Sequence, residues 1–100
     1  MPRRTRLEWS EEARAEAAAA IAWYAYDSRG VADRFLTALD AAMGTLAQFP
    51  ASGVASGEGT RAIPVAGFPY RIHYREHSGR VRILAVAHTS RMPGYWKNRL

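Results

Sequence analysis

The spacing of the apolar residues changes once along this chain, and that change limits the fold more than any other feature. Between residues 11 and 48 apolar side chains recur at intervals of 3 and 4, the helical period. From residue 61 to 88 they recur at intervals of 2, the period of a strand. The segment between, Phe49 to Gly59, contains Pro50 and three glycines and reads as a loop. Helices first and strands afterwards predict an α+β domain, because a doubly wound parallel sheet would alternate them.

Each half can be read further. Thr5 to Trp9 is a short strand candidate, and Ser10 follows as an N-cap with Glu11 and Glu12 in the first helical turn. The helix so begun runs to Asp27 or Ser28, with Ala13, Ala17, Ala20, Ile21 and Tyr24 on one stripe. Alanine at these positions lets a neighbouring element approach closely. Ser28-Arg29-Gly30 is the expected break, with Gly30 suited to a left-handed helix end. A second helix is predicted over Val31 to Gln48, its stripe formed by Phe35, Leu39, Ala42, Met43 and Leu46. So short a break implies an antiparallel helical hairpin.

Beyond the loop, Arg61 to Val65 is a strand candidate in which Pro64 points to an edge position or a bulge. Ala66-Gly67 turns the chain into Phe68 to Glu76, where Tyr70, Ile72 and Tyr74 face one way and Arg71, His73 and Arg75 the other. His77 to Arg80 turns it again into Val81 to His88, which is apolar on both faces and therefore expected to be central. A tail from Thr89 to Leu100 follows. The predicted order is β-α-α-β-β-β, a two-layer domain with the helical hairpin on one face of a mainly antiparallel sheet. At 100 residues the chain has room for one such domain.

Composition excludes several classes. The longest uncharged apolar stretch, Ala17 to Tyr26, is too short to span a bilayer. No basic-then-apolar leader opens the chain. Cysteine is absent, so disulfides and thiolate metal sites are excluded and the cytoplasm is the expected compartment. The formal charge is +5, and it is unevenly distributed. Residues 1–10, with Arg3, Arg4, Arg6 and Glu8, carry +2; residues 11–49 carry −3; residues 50–100 carry +6. The sheet and tail thus hold the basic character, and the sheet face away from the helices is where Arg71, Arg75 and Arg82 would form a basic groove. An arginine-rich composition produces the same excess without any function, and 13 of the 14 bases are Arg.

One segment combines groups that could carry chemistry. His88, Arg91 and Tyr95 lie within eight residues, directly after the expected central strand. A histidine can move protons near neutral pH, an arginine can stabilise charge on a phosphorane, and Tyr95 or Trp96 can stack on a base. The competing reading is that Pro93 and Trp96 pin the tail to the core while His88 caps the strand end. No cofactor and no metal site is expected. The histidines at 73, 77 and 88 lack metal-ligand spacing and an accompanying carboxylate cluster. His73 shares a face with Arg71 and Arg75, whose charge disfavours its protonation.

Taken in order, Ser10-Glu11-Glu12-Ala13, Phe49-Pro50 with Gly53, Arg61, Gly67-Phe68-Pro69-Tyr70-Arg71-Ile72, Ile83 to His88, Arg91, Pro93 and Trp96 resemble the RelE/ParE family of bacterial toxins, and more closely its ParE branch. The resemblance runs from Trp9 to Trp96 and lies in order and spacing, since no single motif is specific. It implies a small α+β toxin of a type II toxin–antitoxin system, neutralised by a cognate antitoxin whose acidic, helical C-terminal segment wraps it. It implies DNA gyrase as the target if the chain follows the ParE branch. A RelE-like chain would instead cleave mRNA on the ribosome, with His88, Arg91 and Tyr95 catalytic. In either case Arg61, Arg71, Arg75, Arg82 and Trp96 are the expected target-binding residues. The strand rich in lysine found in some RelE-like nucleases is missing, and Lys97 is the one lysine. A third reading, a non-toxic RNA-binding module, lacks the paired aromatics that recognition sheets display on adjacent strands.

Overall fold

The computed structural model describes residues 5–100. Arg3 and Arg4, counted above in the N-terminal charge, lie outside them. Five strands and two helices follow in the order β1 (Arg6–Trp9), α1 (Glu11–Asp27), α2 (Arg29–Gln48), β2 (Val54–Gly57), β3 (Thr60–Pro64), β4 (Tyr70–His77) and β5 (Arg80–His88), with a short 3-10 turn at Lys97–Arg99. The sheet order is β1-β5-β4-β3-β2. β1 pairs with β5 in parallel, and every other pairing is antiparallel. The α+β architecture and the central place of β5 are as the sequence predicts.

Two local expectations are corrected. β2 lies within the segment read as a loop. Its residues, Val-Ala-Ser-Gly, show no alternation because the strand is an exposed edge with no core to face. The hairpin to β3 closes through Gly57, Glu58 and Gly59, all at positive φ. Gly30 is the second difference: it sits inside α2, not at a left-handed helix end. Ser28 alone makes the break. It is extended (φ −159°, ψ 116°), its N–H donates to Tyr24 O at 3.0 Å, and its Oγ accepts from Val31 N–H at 3.3 Å. One residue thus caps both helices, and no left-handed residue is needed. Pro64 ends β3 opposite Arg71, past the last β2 pair at Val54 and Ala62, so β3 is locally an edge there as anticipated.

The core lies between the helix layer and one face of the sheet. α1 contributes only alanines to its fully buried part, Ala13, Ala17 and Ala20, while α2 contributes Phe35, Leu39, Ala42 and Leu46. Ile63, Ile72, Tyr74, Val81, Ile83 and Val86 meet them from the sheet. At one end Tyr24, Phe35, Phe68 and Tyr70 form an aromatic cluster, with ring centroids 5.1 to 6.2 Å apart.

Tyr74 anchors the connection from α2 to the sheet. Its buried hydroxyl donates to Pro50 O at 2.7 Å and accepts from Gly53 N–H at 3.0 Å. Arg61 Nη1 donates to Gly53 O at 2.9 Å, so both backbone groups of Gly53 are held. A Cβ at Gly53 would stand 2.6 Å from Tyr74 Oη and 3.0 Å from Ala62 O. Gly53→Ala is therefore expected to destabilise the fold by about 1–3 kcal/mol through forced displacement. Tyr74→Phe, which leaves the Gly53 N–H without its acceptor, is expected to cost about as much. Urea midpoints of the two variants and of the double variant check this; additive losses would show that the two residues do not share the contact.

Candidate functional site

The outer face of the sheet, away from the helices, follows from the alternation of β4. Ile72 and Tyr74 are buried in the core, whereas Arg71, His73 and Arg75 point outward. Directly opposite residues share a face, so Ala87, Ala85 and Arg82 on β5 join them. β5 changes its alternation partway. The pairing jumps from Tyr74–Ile83 to His73–Ala85, leaving Leu84 as a bulge. Val81, Ile83 and Val86 consequently face the main core, while Leu84 and Ala85 both face outward. That bulge explains why the strand is apolar on both faces.

The tail covers this outward apolar patch. Trp96 is only 2% exposed, packs on Leu84 and Ala85, and stacks on His73 with centroids 4.6 Å apart and planes at 27°. It was an expected target-binding residue; being buried, it presents no surface for a target, and it pins the tail instead. Its stack on His73 also divides the expected basic groove. Arg71 lies on one side, and Arg75 with Arg82 on the other. Arg75 Nη2 donates to Glu58 O at 2.6 Å. Arg61 stands apart from them: it pairs with Tyr74, so it sits on the helix-side face, and it braces Gly53.

A residue absent from the expected site organises the tail. Glu16 of α1 accepts from Tyr95 Oη at 2.5 Å, from Arg99 Nη1 and Nη2 at 2.8 and 3.2 Å, and from Val86 N–H at 3.1 Å. Arg99 Nη1 also donates to Leu84 O at 3.1 Å. β1 stops alongside Ile83, and these two side chains take up the strand groups of β5 beyond that point. The sequence held one signal: Glu16 is three residues after Ala13 and four before Ala20, an acid inside the buried stripe.

These contacts decide what the expected catalytic residues can do. Burial, followed by the hydrogen bond to Glu16, pushes the Tyr95 phenol up to about 12, so it stays protonated at neutral pH with its hydroxyl committed to Glu16. Arg91 lies over the Tyr95 ring, its guanidinium carbon 3.9 Å from the centroid. His88 shares the inner face with Tyr70, its ring edge-on at 5.1 Å. Its Nδ1 accepts from Ser90 N–H at 3.0 Å, which places the neutral ring's proton on Nε2. His88, Arg91, Tyr95 and Arg71 do line one cavity of about 250 Å³, together with Thr89, Lys97 and the His73–Trp96 stack. Among the described residues no three His, Asp or Glu side chains are grouped to hold a metal ion. Among the described residues no helix is long and apolar enough to cross a membrane.

The fold has a counterpart among solved structures. A chain described as belonging to the chromosomal ParDE TA system from P. aeruginosa superposes with a TM-score of 0.73 at 18% identity, covering 84% of this chain and 95% of that one. The family model for the ParE toxin of the type II toxin-antitoxin system, parDE, matches residues 7–93. The chain belongs to the ParE toxin family. Among curated proteins no match is found.

Two expectations follow for the site. Glu16→Ala strips the acceptor from Tyr95, Arg99 and Val86 and should cost roughly 2 kcal/mol. Limited proteolysis should then cut within residues 89–100 before the rest of the domain, and unchanged cleavage would show that the tail is held by Trp96 alone. The second concerns pH. Burial first, and then the charge of Arg71, lowers the His73 pKa below 6.5, while Glu16 acts weakly in the opposite direction. The unfolded chain therefore takes up this proton at higher pH than the folded one. Stability is expected to fall as the pH drops below about 6.5. In His73→Phe, which keeps the stack on Trp96, the fall in melting temperature between pH 7 and 5 should be smaller.

Proposed function

We propose that this ParE-family toxin arrests growth by acting on DNA gyrase and is neutralised by a cognate antitoxin. The observation that favours gyrase over cleavage of ribosome-bound mRNA is the Tyr95–Glu16 hydrogen bond. Phosphodiester cleavage needs groups free to exchange protons with the substrate. Here the phenol is committed and Trp96 is buried, so the tail supports the sheet. Inhibition by surface contact requires none of these groups to react. Arg71, Arg75, Arg82 and Arg91 remain the basic residues through which a target would be met on the outer face.

The antitoxin reading draws on a different surface. Trp23 and Tyr26 of α1 are 73% and 91% exposed, and they flank a groove with Ala19 and Ala22. The groove continues past Tyr70 to His88 and Arg91. An amphipathic segment would set apolar side chains against Trp23 and carboxylates against Arg91. The matching solved structure is itself described as a ParDE system, which supports a paired partner.

Induction in a bacterial host should halt growth, and the purified toxin should abolish supercoiling by gyrase or trap its cleavage complex on plasmid. Codon-edge cuts in mRNA on translating ribosomes, with gyrase unaffected, would overturn the reading. Trp23→Ala is expected to weaken antitoxin binding at least about tenfold, measured by titration, because exposed aromatic anchors dominate such interfaces. The melting temperature should stay unchanged.

A further inference from the structure

The cavity on the outer face shares Arg71 and Arg91 with the surfaces proposed for the target and the antitoxin. We propose that it binds the phosphoryl group of a nucleotide, held by Arg71, Arg91 and Lys97. All three cations line the same space of about 250 Å³, and no carboxylate lines it with them. The ion pairs among the described residues, Arg80–Glu8 and Arg99–Glu16, leave these three without an acidic partner. Three uncompensated charges around one concave space raise the local concentration of an oxyanion.

Two of the cations are held in place. The Arg91 guanidinium rests on the Tyr95 ring, which Glu16 anchors from below. The stem of Lys97 lies against Gly94, where a Cβ would come within 3.1 and 3.2 Å of its Cε and Cδ. Its Nζ is 3.8 Å from the position a Cβ would take at Gly57. Gly94 is also at φ +78°, so the turn that carries Lys97 past the cavity depends on glycine there. Arg71 enters from β4. Convergence from a strand and two points of the tail gives a site three donor groups for one tetrahedral anion. Ser56 and Thr89 add hydroxyls to the lining.

Size and surroundings favour a nucleotide over a bare ion. The His73–Trp96 stack forms one wall, and Met92, 76% exposed, stands at the rim where a base can lie against it. The phosphoryl group can come from a free mononucleotide or from the end of a single strand. Carboxylates, with two oxygens in a plane, would satisfy fewer of the donors.

The test is a titration of the isotopically labelled full-length toxin with AMP, with a short oligonucleotide bearing or lacking a 5′-phosphate, and with acetate. Amide signals of Thr89, Arg91 and Gly94 should shift saturably with AMP and with the phosphorylated strand. A stronger response to AMP assigns a free nucleotide, and a stronger response to the strand assigns its end. Arg71→Gln and Lys97→Gln should each weaken the response about tenfold. Arg29→Gln, an equal loss of charge on the exposed start of α2, should leave it unchanged. Both site variants alter exposed side chains, and their circular dichroism should match the parent's. An absent response, an equal one to acetate, or equal weakening by Arg29→Gln would overturn the proposal.

Discussion

The carboxylate of Glu16 joins α1, the edge of β5 and the C-terminal tail at one point. β1 ends beside Ile83, so the strand groups of β5 from Leu84 onward face the side where a sixth strand would lie. Glu16 takes the Val86 N–H, Arg99 takes the Leu84 carbonyl, and the two side chains pair with each other. A half-buried ion pair of this kind is useful because each partner also satisfies backbone groups; an isolated pair would gain little over its desolvation cost. Tyr95 completes the set, and its ring in turn supports Arg91. The tail is thus tied to α1 through the edge of β5.

The bulge at Leu84 makes that arrangement possible. By turning two successive side chains outward, it creates an apolar patch that water would otherwise wet, and Trp96 closes it. Burial of Trp96 and Leu84 is worth several kcal/mol by area, enough to hold a twelve-residue tail against its ordering entropy only with help from the Glu16 contacts. Stacking on Trp96 places His73 in a dry environment beside Arg71, and both effects keep the imidazole neutral. The same stack separates the cations of the outer face into two groups. One group surrounds a cavity, and the other lies open on β4 and β5. A single continuous groove, which the charge distribution along the chain suggests, does not form.

Much of the architecture was legible because burial imposes a period. The stripes on α1 and α2, the alternation on β4 and the double-sided β5 all face a core, and residues facing a core must be apolar. β2 was not legible: an edge strand of Val-Ala-Ser-Gly faces nothing, so no pattern marks it. Gly30 misled for a related reason. Glycine permits a left-handed residue but does not require one, and Ser28 in an extended conformation does the same work. At the site, His88, Arg91 and Tyr95, close along the chain, line one cavity. That proximity said nothing of Glu16, which is 79 residues from Tyr95.

By itself the sequence determined the layers, the central strand, the basic half of the chain and the family to which it belongs. Those properties follow from period, composition and the order of residues, all of which are local or cumulative along the chain. Only the tertiary structure decided that Trp96 is a buried plug, that Arg61 braces Gly53 and that Tyr95 is bound to a helix carboxylate. Each of these depends on which groups of distant segments meet, and a hydrogen bond or a stack leaves no period in the sequence.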